Sequence, residues 1–175
     1  MRAAAVEALG LLEGPASLPL LQEAATKAQS GHDENIDMKR CAEILGDELA
    51  ERVKKLSLDI YSRGRAHADQ CGIIVADTKF EFGTVDEDLL LIDECLTPDS
   101  SRFWPKDQYK VGQSPPSFDK QFVRDWLVEQ PWDRTAPGPA LPDEVVAGTR
   151  ARYVEAFERI SGSPFERYLR DDVVD

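Results

Sequence analysis

Residues 72–83, GIIVADTKFEFG, place a charge at every second position of an otherwise apolar run. Along an extended chain, successive side chains point to opposite faces. Asp77, Lys79 and Glu81 then share one face, while Ile74, Ala76, Thr78, Phe80 and Phe82 share the other. The second face reads as core, and the first carries three charges at a repeat of roughly 7 Å. A chain with this pattern needs a sheet that is buried on one side and wet on the other. Beyond it, GTVDED separates a second run, LLLIDECLTPDSSRFW, and the pair predicts a β-hairpin. If odd residues oppose odd residues across that hairpin, Asp93 joins the face of Asp77, Lys79 and Glu81; loop length, not pattern alone, decides the register.

The flanks read as helical. Asp37 caps a short helix to Leu45, ended by Gly46, and a longer helix runs over about 47–70. Leu49, Val53, Leu56 and Ile60 form its apolar stripe, and Gly64 weakens its last two turns. Residues 104–117 read as irregular. SFDKQFVRDWLVEQ predicts a helix capped by Ser117 with Phe118, Phe122 and Trp126 inward. A proline-rich connector, 131–142, precedes a last helix over about 143–160 that buries Val146, Tyr153, Phe157 and Ile160. The first 35 residues show no clear period and end in a polar loop holding Lys27, His32, Asp33, Glu34 and Asn35. The whole predicts one α/β (α+β) domain: a mixed or antiparallel sheet with a charged β-hairpin, flanked by helices.

Composition removes several function classes. The net charge of −12 lacks the basic footprint that nucleic-acid backbones require, and it disfavours an anionic membrane surface. No run of 18 apolar residues is present, so no transmembrane helix is expected. Three cysteines without CxxC spacing and two histidines point away from disulfides and zinc, and toward reduced thiols in a cytoplasmic protein. Walker, GxGxxG and GxSxG motifs are absent from the sequence.

Three carboxylates (Asp77, Glu81, Asp93) around one lysine repel unless neutralised. Magnesium resolves this, since it takes one or two carboxylates together with waters and phosphates; a solvated outer face of an edge hairpin fits the same spacing. The following TPDSSR adds Asp99, which can accept from sugar hydroxyls or an amine, and Arg102, a bidentate fork for phosphate or carboxylate. The same string is a turn signal in its own right.

Taken together, GHDENI, IIVADTKFEFG, DECLTPDSSRFW, SFDKQFVRDWL and TRARYVEAFERISG resemble, in this order, the phosphoribosylaminoimidazole-succinocarboxamide synthase (SAICAR synthetase) family, over about residues 25–162. VADTKFEFG matches the family's second signature at every position. The resemblance implies ligation of L-aspartate to carboxyaminoimidazole ribotide (CAIR), driven by ATP with Mg2+, in purine biosynthesis. It implies catalytic roles for Lys79 and Asp77, and substrate contacts from Asp33, Asp77, Lys79, Asp99 and Arg102. It further implies nucleotide contacts from Lys79, Glu81 and Asp93, with Mg2+ on Glu81 and Asp93. The expected partners are small molecules, with neither nucleic acid nor membrane; a homo-oligomer stays open. Residues 1–24 match neither the family's N-terminal lobe nor its first signature. The expectation is an atypical segment at 1–24, a SAICAR synthetase-like C-terminal domain at 25–162 resembling the ATP-binding half, and a tail at 163–175. The alternative is an inactive or partner-dependent fragment that binds ribotide, or a separate N-terminal lobe, without catalysis.

Overall fold

The computed structural model describes residues 3–6, 24–25, 36–113, 115–118 and 120–171. Helix α1, Met38–Leu45, begins where the Asp37 side chain accepts from Arg40 N–H at 2.7 Å, which satisfies one of the donors a helix start leaves open. It stops at Gly46, whose φ of 84° lies where a side chain would be strained. Helix α2 then covers Asp47–Gln70 as the apolar stripe predicts, with Asp47 and Glu48 at its positive end. The helix continues through Gly64 for a packing reason. A Cβ there would meet Leu96 Cδ1 at 2.3 Å, so the glycine lets Leu96 seat against the helix. That close approach offsets the roughly 1 kcal/mol that glycine costs in a helix interior.

Among the described residues, six strands make two antiparallel sheets. β1 (Ala3–Val6), β2 (Ala24–Ala25), β4 (Phe82–Val85) and β5 (Asp88–Leu91) form one, in the order β2-β1-β4-β5. β3 (Ile73–Thr78) pairs with β6 (Ser101–Pro105) in the other. The predicted hairpin is present as β4–β5, but the long charged strand is not continuous, because residues 79–81 break it into β3 and β4. The register of β3 on β6 also shifts by one residue between Val75 and Asp77. Such a bulge reverses which residues face the core. Ile73 and Val75 are buried before it, and Thr78, Phe80 and Phe82 after it, whereas Ile74, expected inward, is only half-buried. The β4–β5 register pairs Phe82 with Leu91 and Val85 with Asp88, so even residues oppose odd ones. The odd-on-odd register assumed for Asp93 is therefore not the one adopted, because the hairpin turns on two residues, Asp86 and Glu87.

Arg102, expected in a turn, lies on β6. Helix α3, Gln121–Glu129, starts later than expected; Ser117 does not cap it but donates its hydroxyl to the Phe103 carbonyl at 3.2 Å. Phe118 is buried just ahead of α3, while Phe122 and Trp126 are half-buried on it. Helix α4, Asp143–Ser161, buries Val145 and Ala156 and leaves Val146 exposed, one position off the predicted face. The stretch taken as a tail contains α5, Phe165–Asp171, whose Phe165 and Tyr168 rings pack on Phe157. None of the helices among the described residues is long and apolar enough to cross a membrane.

The core has two halves. Cys41, Ala50, Val53, Phe80 and Phe82 close one under α1 and α2; Ala68, Ile73, Val75, Phe103, Phe118 and Ala156 close the other between α2, the β3–β6 pair and α4. Tyr61 and Leu96 touch both. Phe80 is fully buried in the break between the sheets and anchors the residues on either side of it. Phe80→Ala is expected to cost about 3–5 kcal/mol in urea-unfolding free energy. A loss below about 1 kcal/mol would show that Phe80 is not a core anchor.

Candidate active site

A polar cleft of about 240 Å³ opens where β3, the break after it, β6 and the start of α3 meet. Each wall has a local cause. β3 carries Asp77 to its end, and β6 sets Arg102 directly opposite by backbone pairing. Arg102 Nε donates to Asp77 Oδ2 at 2.7 Å, and Arg102 Nη2 donates to the same oxygen. The Asp77 side chain is nearly buried while half of the Arg102 side chain is exposed, so the pair has a dry acidic end and a wet cationic end. A carboxylate this buried requires such a partner, and a guanidinium with five N–H donors can hold it and still present donors outward.

Lys79 and Glu81 sit in the break, where Lys79 Nζ lies 2.8 Å from Glu81 Oε1. Lys79 N–H donates to the Ser100 carbonyl at 2.7 Å, which ties the break to the turn before β6. That turn is knotted by hydroxyls. Thr97 Oγ1 accepts from the N–H groups of Asp99 and Ser100 at 3.2 and 3.1 Å and donates to Glu94 Oε2. Beneath it, buried Ser101 donates its hydroxyl to Thr78 Oγ1 at 2.9 Å. Asp99 is thereby held at the rim, with Lys120 Nζ 3.8 Å from its Oδ1.

Four of the predicted site residues, Asp77, Lys79, Asp99 and Arg102, come together in this cleft. Glu81 is linked to it through its ion pair with Lys79. Asp93 is exposed and follows Ile92, whose N–H donates to the Glu81 carbonyl at 3.0 Å, so the two carboxylates sit on neighbouring backbone positions. Among the described residues, no group of three or more His, Cys, Asp or Glu side chains is placed to hold a metal ion. Asp33, with its neighbours in GHDENI, lies outside the described residues, as does Asp119.

Two cleft residues were not singled out by the sequence: Lys120 and Arg124. Their four-residue spacing at the start of α3, which puts both on one face, was the available signal. With them the cleft holds, among the described residues, four cations, Lys79, Arg102, Lys120 and Arg124, against the carboxylates Asp77 and Asp99. In a chain of net charge −12 this is a local positive field, suited to phosphate and carboxylate groups. A larger cavity of about 410 Å³ between α3, α4 and α5 is lined mainly by apolar side chains and offers no such convergence. Burial pushes the Cys41 thiol up, opposite to what a nucleophilic cysteine requires.

The family described as SAICAR synthetase matches residues 3–139. The phosphoribosylaminoimidazole-succinocarboxamide synthase of Methylobacillus flagellatus is 60% identical over 144 residues, covering 81% of this chain and 48% of that protein. The enzyme of the same name from Thermobifida fusca is 54% identical over 159 residues, covering 87% and 52%. The SAICAR synthase of Saccharomyces cerevisiae, solved in complex with SAICAR, superposes with a TM-score of 0.72 at 37% identity, over 93% of this chain and 60% of that one. A type-2 SAICAR synthetase in complex with ADP matches with a TM-score of 0.60 at 22% identity, over 93% and 63%, a likeness of fold. The chain spans about half the length of the curated relatives it matches.

The Asp77–Arg102 pair joins two strands as well as lining the cleft. A double-mutant cycle of Asp77→Ala and Arg102→Ala is expected to give a coupling of about 1–3 kcal/mol in unfolding free energy. Independent, additive losses would mean that the pair contributes nothing to holding β3 on β6.

Proposed function

The chain belongs to the SAICAR synthetase family, and from that membership we propose that its cleft serves the ligation of L-aspartate to CAIR, with ATP converted to ADP and phosphate. The observation that carries this reading is the convergence of four cations and two carboxylates in one cleft of an acidic chain. A ribotide brings a phosphate, a sugar and an imidazole carboxylate, which call for cations, hydroxyl acceptors and a further cation. The yeast relative's complex with SAICAR is consistent with a site of this kind.

In this reading Arg102, Lys120 and Arg124 hold the anionic groups of the ribotide, and Asp99 accepts from its sugar hydroxyls. Asp77 keeps Arg102 in place by holding two of its N–H groups, which leaves the fork aimed rather than mobile. Lys79 lies against the carboxylate to be activated and stabilises the negative charge that gathers there as phosphate is transferred and then displaced by the aspartate amine. Lys79 reaches that position from Glu81, to which it is paired. Glu81 and Asp93 fit magnesium in donor type and number, because that ion takes one or two carboxylates and completes its shell with phosphate oxygens and waters. When bound there, the metal supplies neutralisation of phosphate charge. Asp33 is assigned to the ribotide or the aspartate.

A second reading, ribotide binding without turnover, follows from the same cleft, whose cations can hold a phosphate whether or not a reaction follows. The two separate on one experiment: the chain is incubated with ATP, Mg2+, CAIR and L-aspartate, SAICAR is measured by chromatography, and CAIR binding is measured by calorimetry. Product supports the ligase; binding without product supports the second reading; neither would overturn both. Glu81→Gln is expected to lower product formation at least about 100-fold with CAIR binding retained. Normal turnover in that variant would remove Glu81 from the metal site. Arg102→Lys should weaken CAIR about tenfold, since a point charge cannot replace the fork. Unchanged saturation would remove Arg102 from the ribotide site.

A further inference from the structure

Asp99 is exposed at the cleft rim, yet it is held from several directions. Its N–H donates to Thr97 Oγ1, and the next carbonyl, of Ser100, accepts from Lys79 N–H. One carboxylate oxygen, Oδ1, accepts from the Tyr153 hydroxyl at 3.4 Å and stands 3.8 Å from Lys120 Nζ. Tyr153 comes from α4, 54 residues farther along the chain. Its ring lines the apolar cavity with Val123, Val146 and Val154. The aromatic body is thus seated by apolar neighbours, and the hydroxyl meets the carboxylate at the rim of the polar cleft, a division of labour suited to tyrosine.

We propose, resting on the ribotide reading of the cleft, that Tyr153 is a positioning residue that aims Asp99 at the sugar hydroxyls and so gives the site its preference for a ribose phosphate over bare phosphate. A carboxylate has room for about four hydrogen bonds over two oxygens. With Oδ1 steadied by Tyr153 and Lys120, Oδ2 is presented to a vicinal pair of hydroxyls, which a freely rotating aspartate would meet only part of the time. The phosphate is held chiefly by Arg102 and Arg124, with Lys120 shared between it and Asp99 Oδ1. Sugar recognition and phosphate recognition therefore separate on this residue.

Tyr153→Phe deletes the hydroxyl and keeps the ring in its cavity. The test titrates the 175-residue chain calorimetrically with ribose 5-phosphate and, separately, with inorganic phosphate. Tyr153→Phe is expected to weaken ribose 5-phosphate about three- to tenfold, the span of one hydrogen bond's net contribution, and to leave phosphate within about twofold. In an Asp99→Asn background the same substitution should add less than about twofold, because the group it positions is already altered. Equal weakening of both ligands, or a clear fall in Tm, would make Tyr153 a packing residue and overturn the proposal. So would unchanged binding of both ligands, or additive losses in the Asp99→Asn background. If the wild-type chain binds phosphate but gains nothing from the sugar, the role of Asp99 and this proposal fall while the cationic cleft stands. If it binds neither, the ribotide reading itself fails and takes the proposal with it.

Discussion

A regular strand turns alternate residues to opposite faces, and the run from Ile73 to Phe82 has to turn two sets of opposite parity toward the two halves of the core. Ile73 and Val75 belong to the core between α2 and α4, and Phe80 and Phe82 to the core beneath α1 and α2. A regular strand from 73 to 82 would turn one set toward water. The one-residue shift between Val75 and Asp77 reconciles them. It also places Asp77 at the point where the strand leaves its regular course, a common place for a side chain to be re-aimed toward a site. Pairing with β6 then puts Arg102 opposite Asp77, so one backbone irregularity joins the two cores and seats the first ion pair of the cleft.

The cleft's electrostatics follow from which groups the scaffold uses up. Three of the cleft cations face a carboxylate, Arg102 on Asp77, Lys79 on Glu81 and Lys120 near Asp99. The turn ahead of β6 is itself fixed chiefly by uncharged groups: the Thr97 hydroxyl, the Ser101–Thr78 pair and the Lys79–Ser100 backbone bond. Hydroxyls and amides hold geometry without cancelling charge. Lys120 and Arg124 then add positive charge from α3, an element that reaches the cleft because Phe118 is buried beside Phe103 just ahead of it. Focused in a concave site, a small local excess of cations outweighs the diffuse negative charge of the remaining surface, which salt screens beyond about 10 Å.

Local signals in the sequence carried far and long-range ones did not. The bounds of α1 and α2 were legible because the Asp37 cap, the glycine at position 46 between the helices and the i, i+4 stripe of α2 are all local signals. Gly64 looked like a weakness because the residue that explains it, Leu96, lies 32 positions away. The charged face was legible as chemistry, and Asp77, Lys79, Asp99 and Arg102 do converge. The bulge was not legible, although Ile73 and Val75, apolar at odd positions, were its trace. β6 was hidden inside a string that also reads as a turn, and its pairing with β3 is a contact between segments 25 residues apart. The Asp93 register failed for the reason that makes hairpins ambiguous: a two-residue turn fixed the parity, and the apolar pattern on either side fits both.

α4 shows how a helix remote from the motif strings can still enter the site. Its packing face is set by Val145 and Ala156, and Tyr153 lies between them on a neighbouring face, half-buried. From there its ring meets the apolar cavity and its hydroxyl meets Asp99. A residue chosen only for packing would be phenylalanine; the tyrosine hydroxyl adds a polar atom that donates to Asp99. The polar cleft and the apolar cavity are consequently not independent compartments. Any shift of α4 that repacks the cavity moves the Tyr153 hydroxyl, and with it the carboxylate at the cleft rim.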